Sequence, residues 1–189
     1  MKAGLAVRWE GTEVTAMAAT AAVHFVSVEE YLHSDWQPDV DYVDGVLEER
    51  LVGEIDHSDL QGALYAFFLA HRNEWQIRVN VEARVQVAPT CFLVPDVTLL
   101  DRNRPIEQIV THPPIAEFEI LSPTDTLRRV MAKCGRYERM GIKTILVIDP
   151  DGPKYQFVSG RIEPLAARAF DIPGSSARFD LDEIEKLLD

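Results

Sequence analysis

The sequence predicts a domain of the mixed α/β class, in which helices flank a β-sheet and a β-hairpin is added near each end. Short apolar runs rich in strand-forming residues alternate with segments whose apolar residues recur every three or four positions. Two dipeptides typical of tight turns, Asp44-Gly45 and Ser159-Gly160, each separate a pair of short runs. A length of 189 residues favours one domain. We assign residues 26–189 to it and residues 1–25 to a flexible N-terminal arm.

The first half of the chain begins with a short helix, a hairpin and a longer helix. Ser27 followed by Glu30 is the pattern of a capping box and predicts a helix over residues 28–33. The hairpin spans residues 40–50, because the central Asp-Gly pair tolerates the positive φ angles that its turn needs. The segment from residue 57 to residue 72 carries a helical stripe of apolar side chains: Leu60, Ala63, Leu64, Phe67 and Phe68.

Two strands are predicted after this helix. Residues 77–87 alternate between apolar and polar side chains without interruption, which predicts one half-buried strand with Glu82 on its polar face. Residues 92–100 form an apolar run that contains Asp96 and predicts one buried strand. A polar loop over residues 101–114 leads to the next element.

The second half of the chain alternates strands and helices. Residues 115–121 form another apolar run, which contains Glu119 and predicts a buried strand. A helix is predicted over residues 126–140, ended by a glycine, and a strand over residues 144–148. The remaining predicted elements are a closing hairpin over residues 155–165 and a terminal helix over residues 179–188 capped by Asp180.

The charge balance restricts the partners of the protein. A formal net charge of −12 argues against indiscriminate binding to phosphate backbones, which reward clustered lysine and arginine. Residues 128–143 nevertheless carry six basic side chains and one acidic one, so this helix can meet a polyanion locally. No apolar run reaches the length of a membrane span, and Cys91 and Cys134 form no metal or disulfide pattern. We therefore expect a cytoplasmic, reduced protein.

Asp96 and Glu119 are the strongest candidates for chemistry. A carboxylate inside an apolar strand is costly unless it is paired, neutralised or bound to a cation. Two such residues on neighbouring strands predict a site for Mg²⁺, which prefers carboxylate and carbonyl oxygens and keeps several waters. Structural alternatives stay open, since Asp96 after Pro95 also fits a turn, and Glu119 with Glu117 also fits an exposed sheet edge. If the carboxylates repel each other, Asp96→Ala is expected to stabilise the metal-free protein.

Lys133 supplies a cation near these carboxylates. It lies at the border of the apolar stripe of its helix, one turn before Tyr137. A lysine at this border can run its stem over the sheet and place its ammonium at a strand end. The alternative is an ordinary lysine that extends into water. Beside the two carboxylates, Lys133 is a candidate catalytic residue.

Together these motifs resemble the PD-(D/E)XK nuclease superfamily and, within it, the Uma-type family of restriction endonuclease-like proteins. The similar residues are Asp44-Gly45, His57, Pro95-Asp96, Glu119 to Pro123, Lys133, Tyr137, Gly141 and Val147 to Pro150. The similarity covers roughly residues 26–165. Leu121 stands where many superfamily members have the lysine, and the Uma-type family supplies that lysine from the following helix. Asp41 stands where the family usually shows Glu, and we assign it no role.

The resemblance implies a restriction-endonuclease-like fold and a metal-dependent endonuclease that hydrolyses phosphodiester bonds, with DNA preferred as the substrate. It implies that Asp96 and Glu119 hold Mg²⁺ or Mn²⁺ and that Lys133 orients water or stabilises negative charge. Glu82 is either a further metal ligand or a plain surface carboxylate.

The resemblance also implies contacts beyond the catalytic residues. His57, Ser122 and Arg129 are expected to touch the substrate, although Ser122 also fits the N-cap of the following helix. A symmetric homodimer is expected, because the two hairpins leave strand edges to be covered.

The sequence is also compatible with two other functions. A binding or assembly protein that keeps the nuclease fold without its activity agrees with the acidic composition. An enzyme acting on a smaller phosphoester agrees with the same candidate residues.

Overall fold

The computed structural model describes residues 25–50 and 53–188. Apart from Phe25, the predicted arm over residues 1–25 lies outside the described residues. Within them the chain forms helices α1 (Val28–His33), α2 (Ile55–His71), α3 (Leu127–Met140) and α4 (Leu181–Glu185). The strands are β1 (Val40–Val43), β2 (Val46–Glu49), β3 (Ile77–Val81), β4 (Val85–Ala88), β5 (Cys91–Leu93), β6 (Val97–Asp101), β7 (Ala116–Ile120), β8 (Thr144–Ile148), β9 (Lys154–Val158), β10 (Arg161–Pro164), β11 (Ala169–Asp171) and β12 (Arg178–Asp180).

A six-stranded mixed sheet with the order β10-β9-β8-β7-β6-β3 forms the centre of the domain. β7 and β8 are parallel, whereas the other neighbouring strands are antiparallel. A parallel pair needs a crossover connection, and α3 provides it between β7 and β8. The predicted mixed α/β class is confirmed, and the closing hairpin, β9 and β10, extends this sheet at one edge.

Helices cover both faces of the main sheet. Phe118 and Ile120 of β7 belong to the buried cluster that contains the apolar side chains of α2 and α4. Ile145 and Val147 of β8 pack instead against α3 on the opposite face. Because side chains alternate along a strand, Glu117 and Glu119 of β7 point to the α3 side. This alternation delivers Glu119 to the helix that carries Lys133.

The N-terminal hairpin joins a second sheet, with the order β2-β1-β5-β4. Its turn has φ angles of 50° at Asp44 and 92° at Gly45, as the Asp-Gly signal predicts. α1 packs on this sheet through Tyr31, whose ring stacks on that of Tyr42 at a centroid distance of 4.7 Å. Ser27 accepts the backbone N–H of Glu30 at 3.1 Å, which confirms the predicted N-cap of α1.

Two further helices agree with their sequence signals. α2 buries the predicted apolar stripe against the main sheet. α3 begins after Thr126, whose side chain accepts the N–H of Arg129, and ends at Gly141, which has a φ of 105°. None of the helices in the described ranges is apolar over a length that could cross a bilayer.

Two predicted strands are each broken in two, and both breaks have local causes. The run over residues 77–87 turns at Glu82, with a φ of 51°, so that β3 pairs with β6 while β4 pairs with β5 in the other sheet. The run over residues 92–100 breaks between β5 and β6, because Pro95 has no N–H to donate to a strand ladder. Asp96 therefore lies between two strands rather than within one.

The predicted terminal helix over residues 179–188 is too long. Phe179 lies in β12, opposite Phe170 of β11, in a two-stranded sheet that the sequence did not indicate. α4 then covers only Leu181–Glu185, after an N-cap at Asp180 that accepts the N–H of Glu183 at 3.3 Å. The predicted cap at Asp180 is confirmed. Phe179, the residue before it, is extended because it pairs with Phe170 across the two strands.

Candidate active site

Three elements bring the predicted catalytic side chains to one cleft. Asp96 lies in the link where the chain passes from β5 of the second sheet to β6 of the main sheet, Glu119 lies on β7 and Lys133 on α3. All three line a cleft of about 50 Å³. Asp96 is 5% exposed and Glu119 is 7% exposed, so both carboxylates are largely withdrawn from solvent. The alternative that Glu119 lies at an exposed edge is therefore excluded.

Asp96 is held as an anion by neighbours on both of its oxygens. Oδ2 accepts the backbone N–H of Ile120 at 2.7 Å and lies 3.4 Å from Nε2 of His57. Oδ1 accepts Nη2 of Arg50 at 2.9 Å. Burial raises the pKa of Asp96, but the hydrogen bond with His57, the charge of Lys133 and the Ile120 N–H outweigh it and leave the pKa below its usual value. The same contact raises the pKa of His57.

Glu119 contacts Lys133 and Tyr137, which lie one helical turn apart on α3. Its Oε2 accepts Nζ of Lys133 at 2.8 Å, and its Oε1 accepts the hydroxyl of Tyr137 at 2.6 Å. Burial raises the pKa of Glu119 to about 7, although the charge of Lys133 opposes the rise. Asp96 and Glu119 thus differ, because the first is ionised at neutral pH and the second is close to its midpoint.

Lys133 is fixed inside the cleft and does not extend into water. Besides Glu119, its Nζ donates to the backbone carbonyl of Val94 at 3.0 Å and lies 3.8 Å from Oδ2 of Asp41. Burial lowers the pKa of the ammonium, but the charges of Asp41, Glu119 and Asp96 outweigh this effect and raise it. Lys133 therefore remains charged across the physiological pH range.

The charges around the cleft favour an added cation. The cleft is lined by four carboxylates, those of Asp41, Asp96, Glu119 and Asp125, against three permanent cations, Arg50, Arg129 and Lys133. Across residues 25–50 and 53–188, no three His, Cys, Asp or Glu side chains converge as a preformed metal site. The residues present fit a hydrated divalent ion, for which two carboxylates are sufficient protein ligands.

Comparison with known protein families agrees with this geometry. The family model Uma2, described as "Putative restriction endonuclease", matches residues 28–163. The chain belongs to the Uma2 family. This membership confirms the resemblance identified from the sequence and supports a nuclease function. A comparison with curated proteins returned no match.

A solved structure agrees with the Uma2 fold. A protein from Anabaena variabilis ATCC 29413, described as a putative nuclease belonging to DUF820, has a TM-score of 0.71 and 18% sequence identity. The similarity covers 87% of this chain and 99% of that one, and it confirms the restriction-endonuclease-like fold. The cryoEM structure of a DrdV–DNA complex is less similar, with a TM-score of 0.38 and 17% identity over 70% of this chain and 11% of that one.

The three residues that we expected to contact the substrate all line the cleft of this Uma2 protein. His57, near the start of α2, reaches the cleft but contacts Asp96. Arg129 lines the cleft and donates to the backbone carbonyl of Glu49. Ser122 lines the cleft as well, where its backbone N–H and hydroxyl both donate to Asp125. The interpretation of Ser122 as the helix cap is wrong, because Thr126 has that position.

Two residues of the Uma2 cleft were missed by the sequence analysis. Asp41 is 2% exposed and accepts the N–H of Val94 at 2.8 Å, which fixes the carbonyl neighbour of Lys133. Arg50, just after β2, lies between Asp96 and Glu82, at 2.9 Å and 3.5 Å respectively. The family position pointed to Asp41, whereas no local signal pointed to Arg50. Glu82, which was expected to be a metal ligand or a surface carboxylate, contacts this arginine.

Glu117 lies on the same face of β7 but deeper, behind the cleft. It is fully buried, its Oε2 accepts the hydroxyl of Thr98 at 2.7 Å, and its Oε1 has no hydrogen-bond partner. Burial raises the pKa of Glu117 well above its usual value. The raised pKa favours the uncharged form of Glu117, which reduces the number of buried negative charges near Glu119.

A larger groove of about 770 Å³ opens beside the cleft and shares His57, Leu121 and Ser122 with it. Its floor is apolar. Its rim is acidic, because Arg161 is outnumbered by Glu54, Asp56, Asp125, Asp149 and Asp151. Such a rim repels phosphate and favours neutral or cationic groups.

Proposed function

We propose that this Uma2 protein is a metal-dependent endonuclease that hydrolyses phosphodiester bonds in nucleic acid, with DNA as the preferred substrate. The observation that carries the proposal is the convergence of Asp96, Glu119 and Lys133, from three separate elements, on one cleft with an excess of carboxylates. Membership of the family supports the same activity.

Each side chain has a distinct part in the proposed reaction. Asp96 and Glu119 would hold Mg²⁺ or Mn²⁺, and the bound ion would supply a water of lowered pKa and neutralise phosphate charge. The Ile120 N–H fixes the Asp96 carboxylate before substrate arrives. Lys133, charged and held at Glu119, can donate to a phosphate oxygen as negative charge develops there. Because its partners already fix the ammonium, little reorganisation is needed.

A cleavage assay tests this proposal. Duplex DNA, single-stranded DNA, RNA and mononucleotides would be incubated with the protein in Mg²⁺, in Mn²⁺ and in a chelator. We expect cleavage of DNA that requires the metal. Cleavage of mononucleotides alone would favour the enzyme of smaller phosphoesters, and turnover that persists in the chelator would exclude the proposed metal.

The alternative of an inactive binding protein also has a specific observation in its favour. All four carboxylate oxygens of Asp96 and Glu119 are bonded to side chains or backbone of the chain itself, and the neighbouring groove has an acidic rim. A protein that binds a partner but cuts none of the substrates, in either metal, would have this second function.

Metal binding should weaken as the pH falls below about 7. Because the pKa of Glu119 is about 7, its carboxyl carries a proton below that pH, and the metal ion must displace it. Above that pH the carboxyl group is already deprotonated, so the ion has no proton to displace. We expect the Mg²⁺ affinity to fall about tenfold for each pH unit below 7, and to level off above it, in calorimetric titrations. Asp96, whose pKa is low, contributes nothing in this range.

The matched control for this prediction is Glu119→Gln, whose amide cannot titrate. This variant should bind Mg²⁺ weakly and should lose the part of the pH dependence that comes from Glu119, leaving only the part that comes from His57 beside Asp96. A wild-type affinity that stays constant from about pH 5.5 to about pH 8.5 would contradict the assignment of Glu119 as a ligand.

We also propose a symmetric homodimer. β10 forms one edge of the main sheet and β2 one edge of the second sheet, so both hairpins present strand edges that a second copy can cover. Light scattering at micromolar concentration should return twice the chain mass of 21.3 kDa. A single chain mass would count against the dimer.

A further inference from the structure

Arg50 holds the oxygen of Asp96 that has no other partner among the residues that the structure describes. Oδ2 of Asp96 is fixed by the backbone N–H of Ile120 and by His57, and both contacts hold the carboxylate in its position. Oδ1 remains, and the guanidinium of Arg50 donates to it at 2.9 Å. The Arg50 side chain is only 15% exposed, so this contact is shielded from water.

We propose that Arg50 is an internal counterion that a divalent metal ion displaces from Asp96. The inference rests on the proposed function, since it takes Asp96 as a metal ligand. A divalent ion bound at Oδ1 would lie close to the guanidinium that donates to the same oxygen at 2.9 Å, and because both are cations their repulsion makes them compete for Asp96. In the metal-free protein Arg50 compensates a buried carboxylate, and in the metal-bound protein the ion has that role.

Arg50, rather than Lys133, is the cation that can leave. Lys133 donates to the Glu119 carboxylate and also to the Val94 carbonyl, and Asp41 lies close to it. Arg50 has one close partner in the cleft and a second, Glu82, at 3.5 Å. The Glu82 side chain is 48% exposed, so it can keep the released guanidinium paired at the rim. Glu82 is then the partner of the displaced arginine instead of a metal ligand.

Metal affinity without substrate tests the exchange directly. Calorimetry would compare Mg²⁺ and Mn²⁺ binding to the wild type, Arg50→Met and Arg129→Met. Arg129 is the matched control, because it lines the same cleft and carries the same charge but has no contact with Asp96. We expect Arg50→Met to bind the metal about tenfold more tightly or more, the effect of removing a competing charged hydrogen bond. Arg129→Met should change the affinity far less, because it alters only the long-range field.

The outcomes separate this inference from the proposed metal site. Tighter binding by Arg50→Met, or binding by that variant where the wild type shows none, supports the exchange. Wild-type binding that Arg50→Met does not improve overturns the exchange alone. Absence of binding in both proteins overturns the exchange together with the metal site.

A second measurement avoids any loss of folding in the variant. Nitrogen-15 NMR of the wild type can follow the guanidinium signal of Arg50, assigned by its loss in Arg50→Lys. In the metal-free protein, the buried contact with Asp96 slows the exchange of the guanidinium protons with water and shifts their resonance. Saturation with Mg²⁺ should remove both effects. An unchanged Arg50 signal in the metal-saturated protein would overturn the exchange.

Discussion

Lys133→Met should lower metal-dependent cleavage by about a hundredfold or more, because a preorganised charge beside the reacting phosphate is lost. The ammonium is fixed at 2.8 Å from Oε2 of Glu119 and 3.0 Å from the Val94 carbonyl, and methionine replaces only the apolar stem. Since Lys133 lowers the pKa of Glu119, its loss should also shift the remaining activity to higher pH. Rates measured against pH check both effects.

The control for Lys133→Met lies on the same helix. Arg139→Met removes an exposed charge from α3 and should leave cleavage nearly unchanged. The structure predicts a moderate stability cost for Lys133→Met, about 1–3 kcal/mol, because Glu119 loses a charged hydrogen bond and takes up a proton instead. Full activity in Lys133→Met would remove the residue from the mechanism.

Moving the lysine tests the same role by gain of function. Leu121 follows β7 directly and lines the same cleft as Lys133. Leu121→Lys in the Lys133→Met background should restore part of the lost activity, because an ammonium at residue 121 lies next to the same carboxylates. No recovery in a folded double variant would show that the exact position of the charge on α3 is needed.

Asp96→Asn should remove measurable Mg²⁺ binding and, with it, cleavage. The amide is neutral, so the cleft loses the charge that attracts the ion. It also cannot accept from both Arg50 and the Ile120 N–H, because one side of the amide carries donors. We expect a stability loss of about 1–3 kcal/mol in the metal-free protein. Calorimetry and thermal unfolding measure the two effects separately.

This stability effect has the opposite sign to the one that the sequence suggested. Two buried carboxylates imply repulsion, but in the structure the partners of Asp96 keep its pKa low, so the charged form stabilises the fold. The matched control is Asp125→Asn, which removes one charge from the same cleft and can still accept from Ser122. That variant should keep the metal. Equal loss of binding in both variants would mean that net charge, rather than Asp96, holds the ion.

The features that the sequence predicted well are those that depend on neighbours within a few residues. Ser27 and Asp180 accept N–H groups three positions ahead, and the Asp44-Gly45 turn depends on two residues alone. The strand-to-helix-to-strand order around Glu119 follows from apolar periodicity in the same way. These local signals were enough to predict that Glu119 and Lys133 lie at one end of the sheet.

The features that the sequence missed depend on contacts between distant segments. The alternation of residues 77–87 continues through the bend at Glu82, so periodicity alone could not show that two sheets share this run. Arg50 contacts Asp96 across 46 positions of sequence, after a half-buried edge strand of ordinary composition. The contact depends on where the end of β2 lies relative to the cleft, which no local sequence pattern shows.

The most direct test of the metal site is a crystal structure of the protein grown with Mn²⁺ at about pH 8, where Glu119 is ionised. The anomalous scattering of manganese should give a peak between the carboxylates of Asp96 and Glu119, with the Arg50 guanidinium moved from Oδ1 of Asp96 towards Glu82. An anomalous peak at another place in the protein, or none in the cleft at saturating Mn²⁺, would contradict the assignment of these two residues as metal ligands.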